Sequence, residues 1–325
     1  MDIKTKILQE LKLNDGYTSG QQLSEACNVS RTAIWKVMNQ LRDEGYDIQS
    51  VKNKGYRVAY TPDVLSRSEI ASDMLVDYEI VYEEEVNSTN TYAKILAEQG
   101  CRDKTIVVAE RQTQGKGRRG RSFDSPRGGG IWMTVILKPN ISPNMASMLT
   151  IIAAMAVREG IENSTGLKCG IKWPNDIVCS GKKICGILTE MSSEMEYINY
   201  VIVGMGINVN IKEFSDDIKS VATSISLEMG EGSFKRSEMI AEVIGSFDKY
   251  YENFITQGNL SSVRKDYDRY LVNVGKQVSI EGNGEKYAAK AIGIADNGEL
   301  IIERDGHPEL VRSGEVSVRG IYGYV

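Results

Sequence analysis

Over the first sixty positions the apolar residues recur at the spacing of amphipathic helices and then switch to the alternation of strands. Ile3, Ile7, Leu8 and Leu11 predict a helix over residues 3–13. A second helix begins after the capping hydroxyl of Ser19, and a third begins after Ser30 and runs to Glu44, with Asn28-Val29 as the turn between them. On the third helix Ile34, Val37, Met38 and Leu41 share one face, which leaves Arg31, Thr32, Trp35 and Lys36 on its first exposed turns. Residues 46–51 and 55–60 alternate as two strands around the basic turn Lys52-Asn53-Lys54-Gly55.

From residue 61 to about 68 the chain carries Pro62 and few apolar residues, so a domain boundary is expected there. A long mixed stretch follows. Its pattern predicts helices at 90–98, 143–163, 236–254 and 260–270, and strands at 105–109, 131–137, 170–173, 176–179, 183–191 and 200–206. Beyond Leu271 short alternating strands are separated by the hairpin turns 282–285, Asp296-Asn297-Gly298 and Asp305-Gly306, which predicts a small all-β barrel. The expected organisation is an α+β multidomain protein divided at 1–62, 63–270 and 271–325, with a mixed α/β centre.

Length and composition agree with folded globular domains, since 41% of the 325 residues are apolar. The longest apolar run, residues 145–157, is too short to span a bilayer and reads as a buried helix. No signal-peptide core precedes the first helix, so a cytoplasmic protein without membrane contact is expected. Five cysteines (Cys27, Cys101, Cys169, Cys179, Cys185) are scattered without a C-x-x-C pair, and the single histidine, His307, sits in a turn sequence. Reduced core thiols follow, and neither histidine catalysis nor a protein-built metal site is predicted. Residues 1–62 hold nine Lys or Arg against seven Asp or Glu, so they carry +2 while the chain as a whole carries −5. A small cationic module on an acidic protein points to a placed contact with an anionic polymer.

The densest chemistry lies at residues 110–130, where Arg111 to Arg121 contain five cations and no acid, spaced by Gly115, Gly117 and Gly120. Glycines bring backbone N–H groups close to an anion and guanidinium groups grip it in pairs of hydrogen bonds. The run also fits G-x-G-x-x-G, but the dinucleotide fingerprint needs a helix to start within it, and residues 122–130 carry a proline and further glycines instead. A solvated basic loop is the plainer alternative. Four other segments carry weaker signals. Ser88-Thr89-Asn90 opens a helix and either caps it or binds a ligand; Lys172-Trp173-Pro174-Asn175-Asp176 spends polar groups at a strand end, as a site or as a turn. Lys183 stands near Gly186 at a strand start, and Gly204-Met205-Gly206-Ile207-Asn208 ends an apolar strand.

Residues 1–60 resemble a winged helix-turn-helix DNA-binding domain, in which the third helix enters the major groove and the wing touches phosphate; a three-helix protein-interaction module is the alternative. Arg31, Thr32, Trp35, Lys36, Lys52 and Lys54 would then face DNA. In their order and distances the later segments resemble the biotin protein ligases of the bifunctional, repressor-bearing type, over nearly all of residues 80–325. That resemblance implies a class II synthetase-like ligase domain and an SH3-like C-terminal barrel. It implies a biotin pocket lined by Ser88, Thr89, Asn90, Gln112, Gly115, Lys116, Gly117, Arg118, Lys183, Gly186 and Gly204. Toward ATP it implies Arg118, Arg119, Arg121, Phe123, Asn175, Asn208 and Arg319.

The implied chemistry forms biotinyl-5'-AMP from biotin and ATP with Mg²⁺ assisting, then transfers biotin to a lysine of a biotin carboxyl carrier protein. Lys183 and Arg118 would neutralise phosphate charge and Asp176 would be the carboxylate nearest the metal or the incoming amine. Operator DNA and a homodimer formed with biotinyl-5'-AMP are the further implied partners. The chain departs from the family pattern at Lys116, where arginine is common, and at Phe123, where tryptophan is common. A lipoate ligase, suggested by Arg127-Gly128-Gly129-Gly130, and a biotin sensor without ligase activity are the rival readings.

Overall fold

The computed structural model describes residues 2–230, 232–282, 285–313 and 316–320. Two compact units are present, one of Met1–Leu75 with Lys235–Ala241 and one of Val76–Phe234 with Glu242–Val325. The first contains α1 (Ile3–Lys12), α2 (Gly20–Cys27), α3 (Arg31–Asp43), the hairpin β1 (Asp47–Val51) and β2 (Gly55–Tyr60), and α4 (Arg67–Asp73). Ser19 and Gln22 form a reciprocal cap at the start of α2, and Ser30 Oγ accepts from Ala33 N at the start of α3. Asn28, in the left-handed region, reverses the chain between the two helices.

The apolar stripes of the three helices close over one core of Ile7, Leu8, Leu11, Leu23, Ile34, Met38 and Leu41. Each such side chain contributes roughly 1.5–3 kcal/mol when fully buried. Gly55 is required where the wing returns: its φ is +109° and a Cβ would stand 2.1 Å from Thr18 O.

The segment expected as a linker is instead folded into this unit. Thr61 and Leu65 are buried, Ser66 caps α4, and α4 packs on α1. Glu69 is 1% exposed and is held by Tyr46 Oη at 2.5 Å and Lys12 Nζ at 2.6 Å, while Lys12 also reaches Asp73 at 2.6 Å. The low density of apolar residues in 61–68 hid a helix whose docking is largely polar.

The second unit comprises β3 (Glu79–Glu83), α5 (Thr89–Glu98), β4 (Thr105–Ala109), β5 (Gly130–Leu137), α6 (Met148–Thr165), β6 (Gly170–Lys172), β7 (Asp176–Cys179), β8 (Lys182–Ser193), β9 (Ile198–Asn208), α7 (Ile225–Met229), α8 (Arg236–Gln257), whose first residues fall in the other unit, α9 (Ser261–Tyr270), β10 (Gln277–Gly282), β11 (Glu285–Ile294), β12 (Leu300–Arg304), β13 (His307–Val311) and β14 (Val316–Gly320). Seven strands form one mixed sheet in the order β3-β4-β5-β9-β8-β7-β6, with only β3 and β4 parallel. Its middle strands β4 and β5 are buried along their whole length. Ala93 and Ala97 of α5 pack with Val107, Ile136 and Ile202, which sets the N-terminus of α5 against the middle of the sheet.

The apolar run read as a buried helix is α6, preceded by a separate 3-10 turn at Pro143–Met145 rather than continuous with it. The all-β tail is a five-stranded antiparallel sheet in the order β13-β12-β11-β10-β14. Trp173, in the turn between β6 and β7, donates its indole N–H to Gly298 O at 3.0 Å and so ties this tail to the large sheet.

Candidate active site

The cross-strand register explains where a pocket can open. Trp132 of β5 stands opposite Gly206 of β9 and Gly206 opposite Gly186 of β8; one step along, Thr134, Gly204 and Leu188 line up in the same way. Residues two apart on a strand share a face, so Gly186, Gly204 and Gly206 leave three side chains missing from one patch of the sheet. What fills the patch shows why glycine is needed. A Cβ on Gly204 would stand 2.1 Å from Asn90 Oδ1, and one on Gly206 would stand 2.6 Å from the Phe123 ring.

Ser88-Thr89-Asn90 supplies the polar wall above this floor. All three residues are buried at the start of α5, and Ser88 occupies the N-cap position without making a side-chain cap bond. Its hydroxyl faces a pocket lined also by Thr89, Asn90, Gln112, Lys116, Gly117, Arg118, Phe123, Asn175, Lys183, Gly186 and Gly204. Gln112 Oε1 accepts from Thr89 N at 2.8 Å, and its amide donates to Ser125 Oγ at 2.8 Å. Asn90 Nδ2 donates to Leu188 O and to Glu190 Oε2, while Thr134 Oγ1 lies 2.7 Å from Asn90 Oδ1. Amide and hydroxyl orientations are thereby fixed by their hydrogen-bond partners, which suits recognition of a small polar head group.

Lys183 reaches this face through an irregularity. Even-numbered residues of β8 such as Gly186 and Leu188 look onto the pocket, so an odd-numbered residue on a regular strand would point away. Between Ile177 and Val178 the register of β7 with β8 shifts, and Lys183 pairs with Val178 instead of falling out of phase. A bulge of this kind turns a side chain to the other face. Lys183 Nζ consequently lies 2.6 Å from Asp176 Oδ1 and 5.8 Å from the centre of the Phe123 ring. Arg118 donates to Asn175 Oδ1 at 2.9 Å, and Asn175 donates to Ile187 O at 3.0 Å. Burial of Arg118 works against its charge, and Asp176 works in favour of it.

The glycine-arginine loop is folded over the pocket. Phe123 N donates to Gly115 O and Gly117 N to Arg121 O, which closes a turn containing Arg118–Gly120. Gly115 is buried, and a Cβ on it would stand 2.2 Å from Phe123 O. Arg119, Arg121 and Lys116 are exposed, and Lys116 Nζ donates to Thr91 Oγ1 at 2.9 Å.

The other expected residues are more scattered. Asn208 is buried and donates to Thr223 O at 3.0 Å, holding the segment that leads to α7 rather than lining the pocket. Asp176 likewise stands behind Lys183 and not on the pocket wall. Arg319 belongs to β14, its backbone paired with Ser279, and its side chain lies outside the described residues. In the first unit Arg31, Thr32, Trp35, Lys36, Lys52 and Lys54 are all exposed, Trp35 to 56%, and Arg31 reaches Gln21 at 2.5 Å. Sequence reasoning missed Thr134 and Ser125. A lone hydroxyl in the apolar run Ile131-Trp132-Met133-Thr134-Val135 was a usable signal for Thr134; Ser125 carried none.

The chain matches the model of the Biotin/lipoate A/B protein ligase family over residues 82–208, a helix-turn-helix domain model over 4–57 and the Biotin protein ligase C terminal domain model over 274–319. It belongs to the biotin/lipoate A/B protein ligase family. Among its relatives is the bifunctional ligase/repressor BirA of Bacillus spizizenii, 38% identical over 93% of this chain and 94% of that one. The BirA of Escherichia coli is 26% identical over 95% of each. A solved biotin protein ligase from Aquifex aeolicus in complex with biotin and ATP superposes with a TM-score of 0.66 at 28% identity, covering 74% of this chain and 99% of that one.

Proposed function

We propose that the protein is a biotin protein ligase that makes biotinyl-5'-AMP from biotin and ATP, passes biotin to a lysine of a carrier protein, and represses transcription as a biotin-responsive DNA-binding protein. The observation that carries the ligase reading is the pocket itself: a glycine floor, a buried donor and acceptor wall, and cations from two separate segments, Lys183 and Arg118, converging on one side of it. Ser88, Thr89, Asn90, Gln112, Gly115, Gly186 and Gly204 hold biotin. Lys116, Gly117, Arg118, Arg119 and Arg121 close over biotin and the phosphates, and Phe123, Asn175, Asn208 and Arg319 serve the nucleotide.

In this reading the biotin carboxylate attacks the α-phosphorus of ATP and pyrophosphate leaves; the carrier's ε-amine then attacks the acyl carbon and AMP leaves. Neither step needs a protein nucleophile. The protein holds two anions in line and offsets the charge that builds on phosphate. Asp176 aims Lys183 before substrate arrives, and a phosphate oxygen then replaces it as the partner of Nζ. Among the described residues no three His, Cys, Asp or Glu side chains gather, so they do not fit a resident metal site. Mg²⁺ would arrive on the ATP phosphates, and no step here depends on a protein ligand to it.

The DNA reading rests on the exposed residues of α3 and the wing. So few cations neutralise few phosphates, which calls for two copies on a two-fold operator. The homodimer is formed with biotinyl-5'-AMP bound, and carrier protein depletes it. The reading places the protein in the cytoplasm, with its carrier, ATP and DNA. Among the described residues no helix is long and apolar enough to cross a membrane.

The test is mass spectrometry of a carrier domain incubated with the full chain, biotin and MgATP. One added biotin on one lysine is the expected result. Transfer of lipoate in place of biotin, or no transfer by a protein that still binds biotin, would overturn it.

A further inference from the structure

Two of the five cysteines are brought together by the edge of the large sheet, far apart in any sequence motif. β6 and β7 are antiparallel with Gly170 opposite Val178 and Ile171 opposite Ile177, so Cys169 and Cys179 are the next facing pair. The Sγ of Cys179 is 3.8 Å from the carbonyl oxygen of Lys168, the residue before Cys169. Directly opposed residues on antiparallel strands have Cα atoms about 4.5–5.5 Å apart, inside the range of about 4.4–6.8 Å that a disulfide spans. The pair stands at the end of its strands: Cys169 and Cys179 are buried, yet Lys168, Ser180 and Gly181 beside them are exposed. A small oxidant therefore has to pass only these exposed neighbours.

We propose that Cys169 and Cys179 form a redox-active dithiol that a hydroperoxide converts to a cross-strand disulfide. The Cys179 thiolate attacks the peroxide, breaking the O–O bond to give a sulfenic acid and releasing hydroxide, which takes up a proton. Cys169 then attacks the sulfenic sulfur and water leaves, so that two thiols and one H₂O₂ yield one disulfide and two waters. The order of events follows from the surroundings. The neighbouring Cys169 thiol holds Cys179 below the usual thiol range, while Cys179 and burial push Cys169 up. Cys185 provides a contrast on the neighbouring strand β8: it is fully buried, and burial pushes its thiol up. The cross-link would fasten the open end of the hairpin whose turn end carries Asp176, the partner of Lys183 on β8.

The test uses the full chain, treated with hydrogen peroxide, unfolded in alkylating reagent and mapped by mass spectrometry. Loss of two hydrogens in a Cys169–Cys179 linked peptide, reversed by dithiothreitol, with Cys185 alkylated throughout, is the expected result. A sulfenic-acid probe should label Cys179 in Cys169→Ser, and should leave Cys169 unlabelled in Cys179→Ser. Both thiols remaining alkylatable after peroxide, oxidation that stops at unlinked sulfinic acid, or Cys185 reacting first would each overturn the proposal. Labelling of Cys169 in place of Cys179 would overturn the assigned order.

Discussion

The two compact units use charge in opposite ways. In the first, the residues assigned to DNA stand on the exposed turns of α3, above its apolar stripe, and on the wing. In the second, Thr89, Asn90, Gln112, Thr134 and Lys183 are held by one another, by glycine-lined backbone and by buried partners. An exposed cation that reads a polyanion acts through its number and its screening by salt. A buried polar wall acts through geometry, where loss of one partner leaves another stranded. Substitutions in the two units should therefore fail in different ways.

The largest effect is expected at Lys183. Lys183→Ala should slow biotinyl-5'-AMP formation by roughly 100-fold or more, as loss of one charge-stabilising donor does elsewhere, and leave DNA-module folding intact. Pyrophosphate exchange and circular dichroism read the two outcomes; exchange at the native rate in a folded variant would remove Lys183 from the mechanism. Thr134→Val comes next, because it keeps the shape and withdraws the hydroxyl from Asn90 and Thr89. A stability loss of about 1–3 kcal/mol is expected in denaturant titration, with weaker biotin binding in calorimetry.

Tyr46→Phe probes the buried polar network around Glu69 in the first unit. It strips a hydrogen bond from Glu69, and a loss of about 1–3 kcal/mol is again expected. An unchanged midpoint would mean that α4 is held by its apolar contacts alone. The smallest change in structure is expected from Arg31→Ala with Lys36→Ala: melting within about 0.5 kcal/mol of the native protein, but weaker operator binding and a salt slope smaller by about two. Equal loss of binding at all salt concentrations would place these residues in base reading rather than phosphate contact.

Much of this arrangement was legible in the chain. The caps Ser19 and Ser30, the strand 105–109 and the tail turns at Asp296-Asn297-Gly298 and Asp305-Gly306 fall where local chemistry puts them, while the turn expected at 282–285 lies partly outside the described residues. The pocket residues Ser88, Thr89, Asn90, Gln112, Lys116, Gly117, Arg118, Lys183, Gly186 and Gly204 do converge, across more than a hundred positions of sequence. Less legible was α4, because a seven-residue helix with the single buried apolar pair Ile70 and, at its C-cap, Met74, docked also through Glu69, Lys12 and Tyr46, offers too short a period to detect. Ser125 was silent because its role comes entirely from Gln112 and the Phe123 carbonyl, to which its own sequence neighbourhood gives no clue.

The sequence by itself determined which segments become helix or strand, where the chain turns, and that cations and glycines are concentrated in one loop, since these follow from capping, periodicity and residue type within a few positions. Only the tertiary structure decided which face Lys183 takes, because one shifted pairing between β7 and β8 reverses a side chain without changing a residue. It likewise decided that three glycines from β8 and β9 lie in neighbouring rows, and that Cys169 meets Cys179. Strand register is fixed by pairing between strands, and the propensity of single residues carries no record of it.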